Sequence, residues 1–241
     1  MKGISVFLFA LVLAAPVYAE YGFETDTIQT DKGSLKITFI GHSSLILEWN
    51  SLVIHVDPVS REGDYSKLPK ADLILITHHH GDHFDPGAIA AIQTGKTTLV
   101  VNPEVGKKIE GETITMKNGD VQTLMGLRIE AMPAYNTTED RSRFHPKGRD
   151  NGYILIMGGK RIYIAGDTED TPEMKQLKNI DVAFLPMNQP YTMTPAQVAT
   201  AAKAFRPAIL YPYHYDDTDV SELVRLLKGE NDIEVRIRQM Q

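Results

Sequence analysis

The stretch Thr77-His78-His79-His80-Gly81-Asp82-His83-Phe84-Asp85 puts four imidazoles and two carboxylates into nine residues, directly after the apolar run Asp72–Ile76. That run reads as a buried strand, and loops at strand ends are where a rigid scaffold presents side chains for chemistry. Imidazole with carboxylate is the donor set that zinc, iron and manganese accept. In an extended chain successive side chains point to opposite faces, so His78 and His80 share one side while His79 points away and is left out. Both can then bind one metal. Asp82 and His83 follow the turn at Gly81, so they can face the same cavity from another side and serve a second metal.

Outward from this loop, Leu35–Ile40, Ser44–Trp49 and Leu52–Asp57, broken at Gly41-His42 and Asn50-Ser51, read as a β-meander. Further strands are expected at Thr98–Val101, Leu127–Met132, Tyr153–Met157, Arg161–Ala165, Asp181–Leu185 and Ala208–Tyr211. Helical spacing fits Pro86–Gln93, Pro172–Leu177, Pro195–Phe205 and Val220–Leu227. Pro86, Pro172 and Pro195 each follow Asp or Thr, the order of N-cap and first turn that starts helices. Strands first, then strands interleaved with helices, predict an α/β fold of the layered α+β kind, with sheets covered by helices.

The 241 residues carry 25 basic and 31 acidic side chains, a net charge of −6, which argues against nucleic acid as the main partner. Hydrophobic residues at 42% and charged ones at 23% exclude a disordered chain and a multi-span membrane protein. There is no cysteine, so disulfides, thiolate ligands and a cysteine nucleophile are excluded. Met1-Lys2-Gly3 precedes the uncharged run Ile4–Ala15, then Pro16 and Val17-Tyr18-Ala19 ahead of Glu20. This pattern reads as a signal peptide over residues 1–19, leaving 20–241 as one exported domain, periplasmic or extracellular. The run is shorter than the ~20 apolar residues a bilayer span needs.

The spacing His78-x-His80-x-Asp82-His83 resembles the signature of the metallo-β-lactamase superfamily of binuclear metallohydrolases. The resemblance spans about Leu35 to His214. It implies a four-layer αββα sandwich with the site at the edge between two sheets, two divalent metal ions, and three more ligands downstream. Asp167, in Gly166-Asp167-Thr168 after the strand Arg161–Ala165, matches the family's bridging carboxylate. His214, in Tyr211-Pro212-Tyr213-His214-Tyr215, matches its last histidine.

The remaining first-site histidine usually ends a segment of the form x-Pro-Ala-x-His, but Met132-Pro133-Ala134-Tyr135-Asn136 carries Asn there. His145 is the one histidine between His83 and His214, and it is read as the ligand reaching back from its loop. The alternative is that Asn136 or a water completes the site.

Ile40-Gly41-His42-Ser43-Ser44 and Val56-Asp57-Pro58 resemble the branch of L-ascorbate-6-phosphate lactonase-like proteins and, more distantly, phospholipase D-type N-acylphosphatidylethanolamine hydrolases. That assigns Asp57 to orienting the ligand loop, and His42 to touching substrate or orienting a ligand. His55, inside a strand, is structural. Tyr213 heads the tyrosines that lie near the ligands in sequence, with Tyr135, Tyr191, Tyr211 and Tyr215, and Lys147 and Arg149 could meet an anion.

The chemistry implied is hydrolysis by a hydroxide bridging two metals, with zinc the default ion and manganese and iron suited to the same donors. Asp82 and His214 are assigned to catalysis as well as to the metals. The implied partner is a small molecule, a lactone or cyclic ester, with a phosphodiester as the alternative. A non-catalytic metal-binding protein is the rival that Asn136 favours. No Gly-x-Ser-x-Gly elbow, phosphate-binding glycine loop or dinucleotide fingerprint competes.

Overall fold

The computed structural model describes residues 21–240, together with the backbone of Val17–Tyr18. Apart from that pair, the expected leader over residues 1–19 lies outside the described residues. The first sheet runs in chain order through β1 (Val17–Tyr18), β2 (Glu24–Thr30), β3 (Gly33–Gly41), β4 (Ser44–Trp49), β5 (Leu52–Val56), β6 (Leu73–Leu75), β7 (Thr98–Val101) and β8 (Ile114–Thr115). The second runs in the same sequential way through β9 (Val121–Leu124), β10 (Leu127–Ala134), β11 (Asp150–Met157), β12 (Lys160–Ile164), β13 (Val182–Pro186), β14 (Ile209–Tyr213) and β15 (Glu234–Val235). Helices α1 (Pro86–Ile92), α2 (Pro103–Gly106), α3 (Pro172–Lys175), α4 (Pro195–Phe205) and α5 (Val220–Leu226) fill the crossovers.

Period-two alternation explains why the first sheet is buried on both faces. In β4, Leu45, Leu47 and Trp49 enter the core between the sheets, whereas Ile46 enters a second cluster with Ala88, Ile89 and Ile92 of α1. β6 divides the same way, Leu73 and Leu75 facing inward and Ile74 outward. On the far side Val198, Ala202 and Phe205 of α4 and Leu223 of α5 pack onto the second sheet. The result is the four-layer αββα sandwich that the resemblance implied.

Each sheet begins as an antiparallel meander and ends as parallel strands: β5, β6 and β7 are parallel in the first, β12, β13 and β14 in the second. Parallel strands send their carboxyl ends to one edge, where ligand sites form in open α/β sheets. β4, β7 and α4 match the expected bounds at both ends, and the other expected elements are found with ends shifted by a few residues. Five strands (β1, β2, β8, β9 and β15) and helix α2 were not expected. β2 reads Glu-Thr-Asp-Thr-Ile-Gln-Thr, whose one aliphatic residue, Ile28, hides the strand from any hydrophobic pattern. Among the described residues no helix is long and apolar enough to cross a membrane.

Candidate metal centre

The loop after β6 and the ends of β5, β10, β12 and β14 meet at this edge. Asp57, immediately after β5, is fully buried; its Oδ1 accepts the Thr77 backbone N–H at 2.8 Å and its Oδ2 the Thr77 hydroxyl at 2.6 Å. That clamp fixes the chain where it enters the histidine loop. The backbone is left-handed at His42 (φ 50°), Asp57 (φ 43°) and His214 (φ 48°), a conformation that persists at a non-glycine residue only where the surroundings enforce it. Gly166 is also left-handed, and a Cβ there would lie 2.7 Å from the Asn151 carbonyl oxygen, so glycine alone lets the Asp167 loop close on β11.

The side chains gather in groups whose ligand atoms lie within 4.8 Å of one another: His78, His80 and His145 in one, His42, Asp82, His83 and His214 in another, and His78, His83 and Asp167 in a third. Asp167 stands between the first two. Its Oδ1 lies 3.2 Å from His83 Nε2, and its Oδ2 lies 3.3 Å from His214 Nε2, 3.4 Å from His145 Nε2 and 3.8 Å from His78 Nε2. Asp82 Oδ2 faces His42, His214 and His83 at 3.4, 3.6 and 3.9 Å.

His83 Nε2, His145 Nε2, His214 Nε2 and Asp167 Oδ1 are buried with no hydrogen-bond partner. Each would cost about 1–3 kcal/mol if left unsatisfied. Four such atoms converging on one space fit a cation set among them.

The opposite ring nitrogens are held from behind. His83 Nδ1 meets Asp57 Oδ2 at 2.8 Å, and His145 Nδ1 meets Asp150 Oδ2 at 3.1 Å. Such carboxylates fix the tautomer that turns the free nitrogen lone pair toward a metal. Burial, then nearby His83, holds His78 far below the ordinary imidazole value, and burial with His145 brings His80 down to about 4. Burial also opposes charge on His83 and His214, but Asp167 and Asp57 raise His83 well above its usual value, and Asp167 with Asp82 raises His214 to about 9. For Asp167 burial is outweighed by His214 and His83, and for Asp82 by the neighbouring His214 and His42; both stay ionised far below the usual carboxylate range.

His79 belongs to none of these groups. Asn136, the alternative to His145, commits its Nδ2 to the Tyr191 carbonyl at 2.7 Å and the Arg141 carbonyl at 3.3 Å, while its Oδ1 is buried without a partner. His145 is the side chain brought into the cluster. His42 stacks on His214 with ring centroids 3.7 Å apart, and its Nδ1 lies 3.2 Å from Asp216 Oδ1.

Some expectations need correction. Tyr213, read as lying behind the ligands or at the substrate, is fully buried; Tyr191, 44% exposed, is the tyrosine that lines the adjoining cleft. Lys147 and Arg149 are engaged by Glu173 at 2.9 Å and Asp150 at 2.8 Å, so neither is free for an anion. His55 is structural as expected, its Nε2 set 3.0 Å from the Pro69 carbonyl. The sequence reading missed Asp150 and Asp216. Asp150 carried a weak signal as a carboxylate just beyond the His145 loop; Asp216 carried none beyond its closeness to His214.

A family model described as a beta-lactamase superfamily domain matches residues 36–214. A UPF0173 metal-dependent hydrolase from Pyrococcus abyssi is 31% identical over 198 residues, 76% of this chain and 85% of its own. A crystal structure from Parabacteroides distasonis, of a protein provisionally named a metal-dependent hydrolase, is 55% identical with a TM-score of 0.88, covering 91% of this chain and 100% of that one. Igni18, a metallo hydrolase from Ignicoccus hospitalis, is 26% identical with a TM-score of 0.71, covering 86% of this chain and 96% of its own. The family match runs through the histidine loop to His214 over a four-layer sandwich, and the chain belongs to the metallo-β-lactamase-fold branch of the beta-lactamase superfamily.

Proposed function

We propose that the protein is an exported hydrolase that holds two divalent ions and opens a lactone or related cyclic ester. The observation that carries this reading is Asp167, one carboxylate in contact with both histidine groups. His78, His80 and His145 would hold the first ion, Asp82, His83 and His214 the second, and Asp167 would serve both. Zinc is the default for so histidine-rich a set, with manganese and iron suited to the same donors. Bound there, such ions would supply an activated water and polarisation of the substrate oxygen.

The protein's own part is positioning and proton transfer. Asp57 and Asp150 orient His83 and His145. Asp82, whose side chain is 33% exposed, is the carboxylate of the cluster open to the cleft, and as an ionised group its Oδ2 could take a proton from the attacking water and hand it to the leaving oxygen. That cleft holds about 330 Å³, at the small end of ligand pockets, which run ~300–1,000 Å³. The names of the relatives, metal-dependent and metallo hydrolases, support hydrolysis. Export rests on the Met1–Ala19 pattern.

Metal content by mass spectrometry, on protein purified without chelator or added metal, tests the reading. Two equivalents per chain are expected, and His80→Ala should lose tight binding and lactone opening together. A metal-free His80→Ala protein that still opens lactones would end the proposal. Amino-terminal sequencing of the exported protein should begin at Glu20.

A further inference from the structure

Arg61 is the one lysine or arginine lining the cleft beside the metal cluster, which it shares with His42, Asp82 and Asp216. Its Nε donates to Glu62 Oε1 at 2.8 Å, and among the described residues its Nη atoms have no recorded partner. Glu62 is held in turn. Its side chain is 12% exposed and packs over Gly41, where a Cβ would come within 2.8 Å of Glu62 Oε2 and where φ is +150°. The glycine of Gly41-His42 therefore admits the carboxylate that grips one edge of the guanidinium and leaves the other edge facing outward.

Glu62 pairs with Arg61, and Asp82 and Asp216 act on its charge from farther off, but among the described residues no other carboxylate lies within ion-pair distance of its Nη atoms. Asp216 is taken by His42 Nδ1 at 3.2 Å and Asn188 Nδ2 at 2.6 Å, and Asp82 faces His42 and His214. Lys147 and Arg149 have carboxylate partners of their own. Arg61, also paired but 64% exposed and with its Nη edge open, is the cation that lines the cleft. Arg61 and Glu62 also line a groove of about 590 Å³ with Ser60 and Ser66, so a substrate has room to extend past the guanidinium.

We propose that Arg61 selects substrates bearing an oxyanion beside the bond to be cleaved, its free Nη edge gripping two oxygens of a carboxylate or phosphate. A guanidinium edge matches both anions in a paired geometry that an ammonium cannot copy. The inference rests on the hydrolase reading above and names the substrate feature that reading leaves open.

The test compares γ-butyrolactone, the same ring bearing a carboxylate, and the same ring bearing a phosphooxymethyl group, in wild type, Arg61→Met and Arg61→Lys. A charged hydrogen-bonded pair changes affinity roughly 10- to 100-fold. The charged-to-neutral ratio of kcat/KM should fall by that factor in Arg61→Met, through KM, with Arg61→Lys between. The ring that shows the dependence identifies the anion, and an unchanged ratio for both charged rings overturns the proposal. If wild type opens none of the rings, the lactone reading fails by itself. Calorimetric binding of the chemically opened charged products then decides Arg61: at least tenfold weaker binding to Arg61→Met upholds its role, and equal or absent binding ends it.

Discussion

Asp57→Asn changes one atom type at a buried position and should loosen the second ion while leaving the fold intact. Asp57 accepts three hydrogen bonds: from Thr77 N at 2.8 Å, Thr77 Oγ1 at 2.6 Å and His83 Nδ1 at 2.8 Å. An asparagine that keeps its oxygen on the Thr77 amide must place its NH₂ where Oδ2 was. The threonine hydroxyl rotates to accept from it, but His83 Nδ1–H then faces another donor. Moving that proton to Nε2 relieves the clash and removes the lone pair aimed at Asp167 and the ion. Carboxylates behind a ligating histidine are worth about 10- to 100-fold in metal affinity, or about 1.4–2.7 kcal/mol. Competition of metal-stripped protein against a chromophoric chelator measures the change, and urea melts of the stripped protein show whether the fold survives. A variant that binds the second ion as tightly as wild type would refute the tautomer reasoning.

The same titration separates His145 from Asn136: His145→Ala should lose the first ion, whereas Asn136→Ala should keep both, since its amide serves Tyr191 and Arg141. His55 gives a pH dependence away from the metals. Burial lowers it from 6.5 to about 4, so the unfolded chain takes up a proton first and stability falls as pH drops from 6.5 through about 4. That loss, about 3 kcal/mol, should be missing from the pH profile of His55→Gln in urea melts. Gly152→Ala should cost about 1–3 kcal/mol in thermal melts, because its Cβ would lie 2.5 Å from the Ala165 carbonyl oxygen.

The histidine loop was legible because its donors are neighbours in the chain, and the helix starts because Asp or Thr before proline is a local code. Thr194 shows how complete that code is: its hydroxyl caps Gln197 N while the Gln197 side chain caps it in return, and α4 begins where proline follows threonine. His145 was reachable by elimination, since no other histidine lies between His83 and His214. What stayed hidden depends on tertiary approach. Arg61 sits in an unremarkable polar loop, and only the packing of Glu62 over Gly41 turns it to the cleft. The burial of Tyr213 was hidden because a strand residue next to a ligand faces the core or the cleft according to a register that sequence adjacency does not reveal.

The two sheets are contiguous halves of the chain. Residues through β8 build the first, residues from β9 onward build the second, and only 116–120 pass between them. The proposed ligands divide along the same line, with His78, His80, Asp82 and His83 in one half and His145, Asp167 and His214 in the other. The protein is thus a natural bipartite reporter: severed within 116–120, neither fragment owns a full coordination sphere, and ion capture becomes a readout of the halves reuniting.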